Sequence, residues 1–469
     1  MQQLGLDQVI KLLGELLKSD QLEDLNKVPG IILPSLNQFP DNPALWFYTG
    51  FWQNKIGNNA LAVEAWERSF QLEPQPMVLA NLGAAMRETG RPIDARYVLE
   101  KADFLKPNDP AILTNIAGTY VNEGDPWPGI AAGEKAVELA GEDGQGAFNL
   151  ALLHLEAGNY GRGFDLYATG HHDARDKRTY EGAEKLTRAN FEKAKGSRLL
   201  VYGEQGIGDE LMFSTLFADV CRDFKVIFDH HPRLGRLYAT APWANQVELH
   251  PTRKSGHDSW YTPGCADYST PIANLGQFYR RTPESFAWKG PVYQADPDEI
   301  ELNRKYLREL ADGRKIIALA FRGGTIKTAR TYRAIQPQLL EPLFARPDLM
   351  FVNIDYEDMT GPVSWISEQF GQHKCLWYPS IAWAWDYDHL GALMAACDAT
   401  VTVCQSAAHL SAAMGLDTHV LVPSRPAWRY GLHGTDWYWY PSGRAHLHRQ
   451  IGNEWAFAVK STEEALKWE

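Results

Sequence analysis

Residues 199–210 read Leu-Leu-Val-Tyr-Gly-Glu-Gln-Gly-Ile-Gly-Asp-Glu (LLVYGEQGIGDE), and LMFSTLFADV follows at 211–220. The apolar run predicts a buried strand, the glycines a loop, and the second segment a helix. In α/β proteins this sequence of elements brings a small molecule close to the backbone. The loop lacks the Gly-Lys-Ser/Thr of a phosphate loop, and Gly203, Gly206 and Gly208 are wrongly spaced for a dinucleotide fingerprint. Asp229 ends the next strand, where an acid carries no further signal. Asp209 is distinctive because it lies at the mouth of a helix after a tight turn. Backbone N–H groups and the helix dipole there favour a fixed, ionised carboxylate, which suits a general base aimed at an acceptor hydroxyl. The alternative is a plain acid in a first helical turn.

Outward from that stretch, strands alternate with helical segments: RLLVY, KVIFD and QVELH, then KIIALAF, LMFVNID, ATVTVC and HVLV. This alternation predicts crossover units and parallel sheets in two blocks, about 197–295 and 313–460, joined by the charged helical stretch DPDEIELNRKYLRELADG. The final STEEALKWE is expected to open a short helix with a capping box of Ser461 and Glu464.

The first third has a different period. Gly57, Gly90, Gly124 and Gly158 are spaced 33, 34 and 34 residues apart. Units beginning at Pro43 and Pro76 carry Trp46, Gly50, Ala62, Trp66, Ser69 and Pro74, then Leu79, Gly83, Ala95, Leu99, Ala102 and Pro107, at matching positions. Units from Pro110 and Gly144 are looser. The pattern resembles the tetratricopeptide repeat, in which small residues let paired helices cross closely and proline ends the second helix. Residues 1–38 are expected to form a capping helical pair. Such an array either binds a partner or braces its neighbour. The polar stretch after His171-His172 reads as a linker, since adjacent histidines do not share a helix face as metal ligands would.

Bulk properties narrow the class. The chain has 469 residues, is 45% hydrophobic and 22% charged, and carries a formal net charge of −12. That charge opposes nucleic acid or an anionic membrane as partner. Five cysteines without CxxC spacing predict free thiols in a reducing, cytoplasmic setting. No signal peptide or 18-residue apolar run is visible.

Two elements of the second block suit anion binding. In DATVTVCQSAAHLSAAMG a strand ends at Cys404, a turn follows at Gln405-Ser406, and small residues leave the first N–H groups of the next helix open. Ser406 and, one turn on, His409 add donors; alternatively Ser406 is an N-cap and His409 a core residue. The loop RGGTIKTARTYRAI places Arg322, Lys327, Arg330 and Arg333 after a strand, where cations suit a diphosphate. A solvated basic loop is the alternative. Trp428 and Tyr430 could wall a nucleotide or sugar, or pack in a core.

LLVYGEQGIGDELMFS, ALAFRGGTIKTARTYRAIQPQLLEPL, CDATVTVCQSAAHLSAAMGLDTHVLVPSRPAWRYG and TDWYWYPSGR stand in order over about 200–444. Together they resemble the glycosyltransferase-like domain fused to tetratricopeptide repeats in many bacterial proteins, related to heptosyltransferases, protein O-GlcNAc transferase and flagellin glycosyltransferases. The resemblance implies an α-solenoid followed by a GT-B fold of two Rossmann-like halves. It divides the chain into an array at 1–175, a linker at 176–196, an acceptor-side half at 197–300 and a donor-side half at 301–469. It implies Asp209 as base, with Glu204, Gly206 and Gly208 on the acceptor side. A nucleotide sugar would lie against Arg322, Lys327, Arg333, Gln405, Ser406, His409 and Trp428, without a metal or cofactor. The repeats would recruit a protein acceptor. Cys404-Gln405 departs from the Asp-Thr of the common pattern, which leaves a non-catalytic scaffold, or a transferase acting on a glycan or modified nucleic acid, as alternatives.

Overall fold

The computed structural model describes residues 5–19, 22–121, 123–142, 144–170, 180–203, 206–253, 260–286, 290–323, 333–378, 386–440, 443–452 and 454–467. They form two compact units, Met1–Leu153 and His154–Glu469.

The first unit is helical. Helices Leu6–Leu16, Leu22–Leu25 and Val28–Gln38 precede three helical pairs: Pro43–Lys55 with Asn59–Leu72, Pro76–Glu88 with Pro92–Leu105, and Pro110–Gly118 with Trp127–Ala140. Proline opens the first helix of each pair, where its missing N–H costs nothing. Asn42 and Asp109 cap two of them, accepting from Leu45 N and from Ala111 N and Ile112 N. The periodic glycines Gly57, Gly90 and Gly124 have φ of +85°, +79° and +86°, left-handed turns that favour glycine. A Cβ on Gly50 would meet the Trp66 indole at 2.6 Å, and one on Gly83 would meet Leu99 at 2.5 Å. In the third pair both matching positions are small, Ala117 and Gly133, and a Cβ on Gly133 would meet Leu150 of the next helix, Gly144–Glu156, at 2.9 Å. The first two pairs therefore interlock through one bulky and one small partner.

The second unit begins with the end of the helix Gly144–Glu156 and with the helix Tyr160–Gly170, and continues into two parallel sheets. Strands β1 (Glu184–Lys185), β2 (Arg198–Tyr202), β3 (Lys225–Asp229), β4 (Val247–His250) and β5 (Tyr268–Pro271) form the first, in the order β1-β5-β2-β3-β4. The stretch expected as linker thus supplies an edge strand, Glu184 pairing with Tyr268. Strands β6 (Lys315–Leu319), β7 (Leu349–Asn353), β8 (Cys375–Trp377), β9 (Ala399–Val403), β10 (Thr418–Val422) and β11 (Ala445–Arg449) form the second, in the order β11-β10-β9-β6-β7-β8. Counted from β6 this is the 3-2-1-4-5-6 order of a doubly wound sheet. The strand sequence reverses direction between β6 and β9, and likewise between β2 and β5. Ligands of such sheets sit outside the strands' carboxyl ends at these reversals.

Helix Pro297–Ala311 joins the blocks as expected, capped by Asp296. The last helix, Ala456–Ala465, starts five residues before Ser461, which corrects the expected capping box. Ser461 Oγ instead bonds His448 Nδ1 at 2.8 Å.

Candidate functional site

The carboxyl ends of the two sheets meet. After β2 the chain turns through Gly203 and enters the helix Ile207–Phe213, whose N-cap is Gly206. Glu210, in its first turn, is fully buried. It accepts from His231 N at 2.8 Å, Tyr238 OH at 3.3 Å and Arg253 Nη1 at 2.7 Å. Burial pushes its carboxyl up, and Arg253 opposes that. A Cβ on Gly203 would lie 2.0 Å from Glu210 Oε2, so this glycine admits a buried acid. A Cβ on Gly208 would lie 3.2 Å from Ser406 Cα and 3.3 Å from the His409 ring. The glycine thus permits the close approach of two helices. At Gly206 the nearest atom to a Cβ is Asp209 Oδ2, at 3.5 Å. Asp229 is tied to Tyr180 OH at 2.9 Å and Thr252 Oγ1 at 2.8 Å.

In the second sheet the reversal is flanked by Phe321–Gly323 after β6 and Cys404–Ser406 after β9. A Cβ on Gly323 would meet Val403 Cγ2 at 3.0 Å and Cys404 O at 3.1 Å. Buried Asp355, beyond β7, fixes this edge by accepting from Phe321 N and Arg322 N, both at 3.1 Å. Burial raises its carboxyl to about 6 against those bonds. The Arg322 side chain turns to Glu357 Oε2 at 3.1 Å. It borders an open cavity of about 640 Å³ lined also by Ile335, Gln336, Pro337, Pro362 and Trp365.

The helix Ser406–Ala413 has Gln405, not Ser406, as N-cap, with no capping side chain. Gln405 Nε2 turns back to Thr402 Oγ1 at 3.2 Å, and Ser406 Oγ bonds Tyr387 OH at 3.0 Å. The first-turn N–H groups therefore have no side-chain cap, as an anion site needs. His409 lies in the core. It is 3% exposed, with Nδ1 on Tyr440 OH at 2.9 Å and Nε2 on Tyr430 OH at 3.2 Å. Burial, aided by the Arg429 charge, depresses it to about 3. Trp428 is likewise buried, edge-on to Phe164 at 5.9 Å and tilted against Trp439 at 6.1 Å, because the helix Tyr160–Gly170 covers it. Both expected donor contacts are core residues.

Between the two ends, Arg429 Nε donates to Asp209 Oδ1. Burial would lower the Arg429 guanidinium, yet Asp209 leaves it above its ordinary value. Arg333 is half-buried, and its charge acts on Cys404 and Tyr430. Among the described residues it has no acidic partner. Tyr430 also feels Arg429 and Asp209. The structure thus gathers Asp209, Ser406, Arg333 and Arg429, and sends Arg322 to the adjoining cavity. Glu204, Lys327, Arg330 and His171-His172 lie outside the described residues.

The sequence reading passed over Arg429, although the segment PAWRYG contains it; its partner lies 220 residues away, which no local pattern reports. It also passed over two Asp-x-Asp runs, Asp296-Pro297-Asp298 and Asp386-Tyr387-Asp388. Asp296 and Asp386 cap helices, and Arg236 pairs with Asp296 at 3.2 Å and Asp388 at 3.1 Å. Among the described residues no group of three or more His, Cys, Asp or Glu could hold a metal ion. Nor is any helix among them long and apolar enough to cross a membrane.

Fold and site define a helical-repeat chain ending in two doubly wound parallel sheets with an acid–arginine cluster where their carboxyl ends meet. No family model matches it. The chain is similar to Protein FlbA of Caulobacter vibrioides, 25% identical over 424 residues, covering 79% of this chain and 70% of FlbA. That share exceeds what residues 154–469 make up, so the match enters both units. Among solved structures, MamA is 17% identical over 31% of this chain and 85% of its own (TM-score 0.29). The thermophilic TPR protein TTC0263 of Thermus thermophilus is 20% identical over 36% and 92% (TM-score 0.30). PilF of Pseudomonas aeruginosa is 18% identical over 36% and 79% (TM-score 0.32).

Proposed function

We propose that the chain is a glycosyltransferase that moves a sugar from a nucleotide-sugar donor to an acceptor hydroxyl, with the two sheets as the halves of a GT-B fold. One observation carries this reading: Asp209, from the first sheet, stands beside the Ser406 helix opening and two arginines at the reversal of the second. In this mechanism Asp209 takes the proton of the acceptor hydroxyl. The hydroxyl oxygen bonds the anomeric carbon while the bond from that carbon to the phosphate oxygen breaks, and the nucleoside diphosphate leaves with the electron pair. Arg333, Arg429 and the first N–H groups of the helix Ser406–Ala413 meet the charge that develops on it. The cavity beside Arg322 and Trp365 has the volume of a small-molecule site and adjoins the reversal, which suits the nucleoside.

The acceptor is a protein that the repeats recruit. Supporting this, Ile93, Tyr97 and Phe104, spaced along one stripe of the helix Pro92–Leu105, are 63%, 62% and 84% exposed. Exposed apolar patches of that kind mark partner surfaces. The competing reading, a non-catalytic scaffold, draws on Cys404-Gln405, where the side chain of Gln405 turns away from the helix opening. A thermal-shift screen with UDP-, GDP-, ADP- and CMP-sugars separates the two. Transferase chemistry requires at least one donor to raise the melting temperature and to be turned over; folded protein that responds to none is a scaffold.

A further inference from the structure

We infer that Arg429 exchanges partners during the reaction: it occupies Asp209 while the donor site is empty, and the donor's diphosphate draws it away, so that the base is released only once the donor is bound. The inference rests on the transferase reading and adds an order of events to it.

Three observations carry it. First, the pair joins the two sheets. Asp209 lies on the helix after β2, and Arg429 lies on the short turn Trp428–Tyr430 that follows β10. Gly208, the neighbour of Asp209, packs against Ser406, so the pair sits beside the proposed diphosphate site. Second, the Arg429 backbone is fixed, while its guanidinium, 5.1 Å over the Trp428 ring, has one hydrogen-bond partner among the described residues. Trp437 Nε1 donates to Arg429 O at 2.8 Å, Tyr438 OH donates to Trp428 O at 2.9 Å, and the Trp428 ring is buried. The guanidinium makes its hydrogen bond to Asp209 alone among the described residues. A side chain with a rigid base and one polar contact can change that contact without unfolding anything. Third, the charges do not balance. Arg333 stands two residues before Ile335, whose N–H donates to Phe321 O at 2.8 Å beside the same reversal, and it has no acidic partner among the described residues, so Asp209 is the one carboxylate paired with either arginine. A diphosphate matches two cations, and the guanidinium fork suits phosphate oxygens as well as a carboxylate. When Arg429 turns to the phosphate, Asp209 Oδ1 loses its donor and is available to the acceptor hydroxyl.

Calorimetric titration of the full chain with inorganic pyrophosphate tests this. If Arg429 spends more than about nine-tenths of its time on Asp209, removing that competitor strengthens anion binding about tenfold. Asp209→Asn and Asp209→Ala should therefore bind pyrophosphate about tenfold more tightly than the native chain. Arg429→Met should bind at least about tenfold more weakly, with Arg429→Lys between it and the native chain. Melting curves establish that each variant is folded. Native protein that binds pyrophosphate, with neither Asp209 variant binding more tightly, overturns the exchange while leaving the transferase reading intact. Equal binding by Arg429→Met does the same. No pyrophosphate binding by any folded form overturns both the exchange and the diphosphate site.

Discussion

The two sheets of the second unit start from the same winding and end in opposite chemistry. In each, the strand order reverses beside the first long strand of its block, β2 or β6, and a glycine-bearing turn leaves that strand. In the first sheet the space made by the glycines is already filled: Glu210 occupies the front of Gly203, and Ser406 with His409 the front of Gly208. In the second, Gly323 brings β6 against the end of β9, Arg333 remains without an acidic partner among the described residues, and a cavity of about 640 Å³ opens beside Arg322. One winding therefore supplies a closed end that holds an acid in place and an open end that can receive an anion. Topology says where ligands go; the side chains that fill the glycines decide which of two equivalent places stays empty.

The contrast can be broken at several points. The largest effect is expected at the closed end. Glu210→Ala leaves Arg253, 12% exposed, without its buried carboxylate, and should lower stability by about 3–5 kcal/mol in chemical denaturation. A loss below about 1 kcal/mol would mean that the filled end is not structural. Gly208→Ala places a methyl against Ser406 backbone and should cost about 1–3 kcal/mol by the same measurement. At the open end, Trp365→Ala should weaken nucleotide binding about tenfold, or about 1.4 kcal/mol, in fluorescence or calorimetric titration. Unchanged binding would move the nucleoside elsewhere.

A pH dependence separates the buried His409 from a ligand-binding one. The native state keeps His409 neutral down to about 3, against an ordinary value of 6.5, so the unfolded chain takes up its proton first. His409 thus contributes stability that is present above about 6.5 and is lost as pH falls toward 3. His409→Gln should flatten this part of the stability–pH curve. An unchanged slope would assign it to other groups, such as His230 and His448, which burial also depresses.

How much of this the sequence discloses depends on the range over which each feature is encoded. The helical pairs are legible because a glycine in the left-handed region recurs with each repeat. The seven strands rich in Val, Ile, Leu and Phe are legible because their apolar residues run together or, in β4 and β9, alternate with polar ones. Strands β1, β5, β8 and β11 are not, since Glu184-Lys185, Tyr-Ser-Thr-Pro, Cys-Leu-Trp and Ala-His-Leu-His-Arg are short or polar and become strands only through their neighbours. Asp209 and Ser406 could be singled out from their turns. His409 and Trp428 looked the same from sequence, and only packing by Tyr430, Tyr440 and Phe164 assigns them to the core. The Asp209–Arg429 pair, 220 residues apart, is a property of the tertiary fold alone.

The central claim is most directly tested by nucleoside diphosphate release. The purified full chain is incubated with a panel of nucleotide sugars, and the native protein is compared with Asp209→Asn. Turnover of at least one donor, reduced about a thousandfold in a variant that still melts cooperatively and still binds that donor, is the result expected of a general base at this position. Turnover that survives the substitution unchanged would contradict the assignment of Asp209, and the absence of turnover with every donor would contradict the transferase itself.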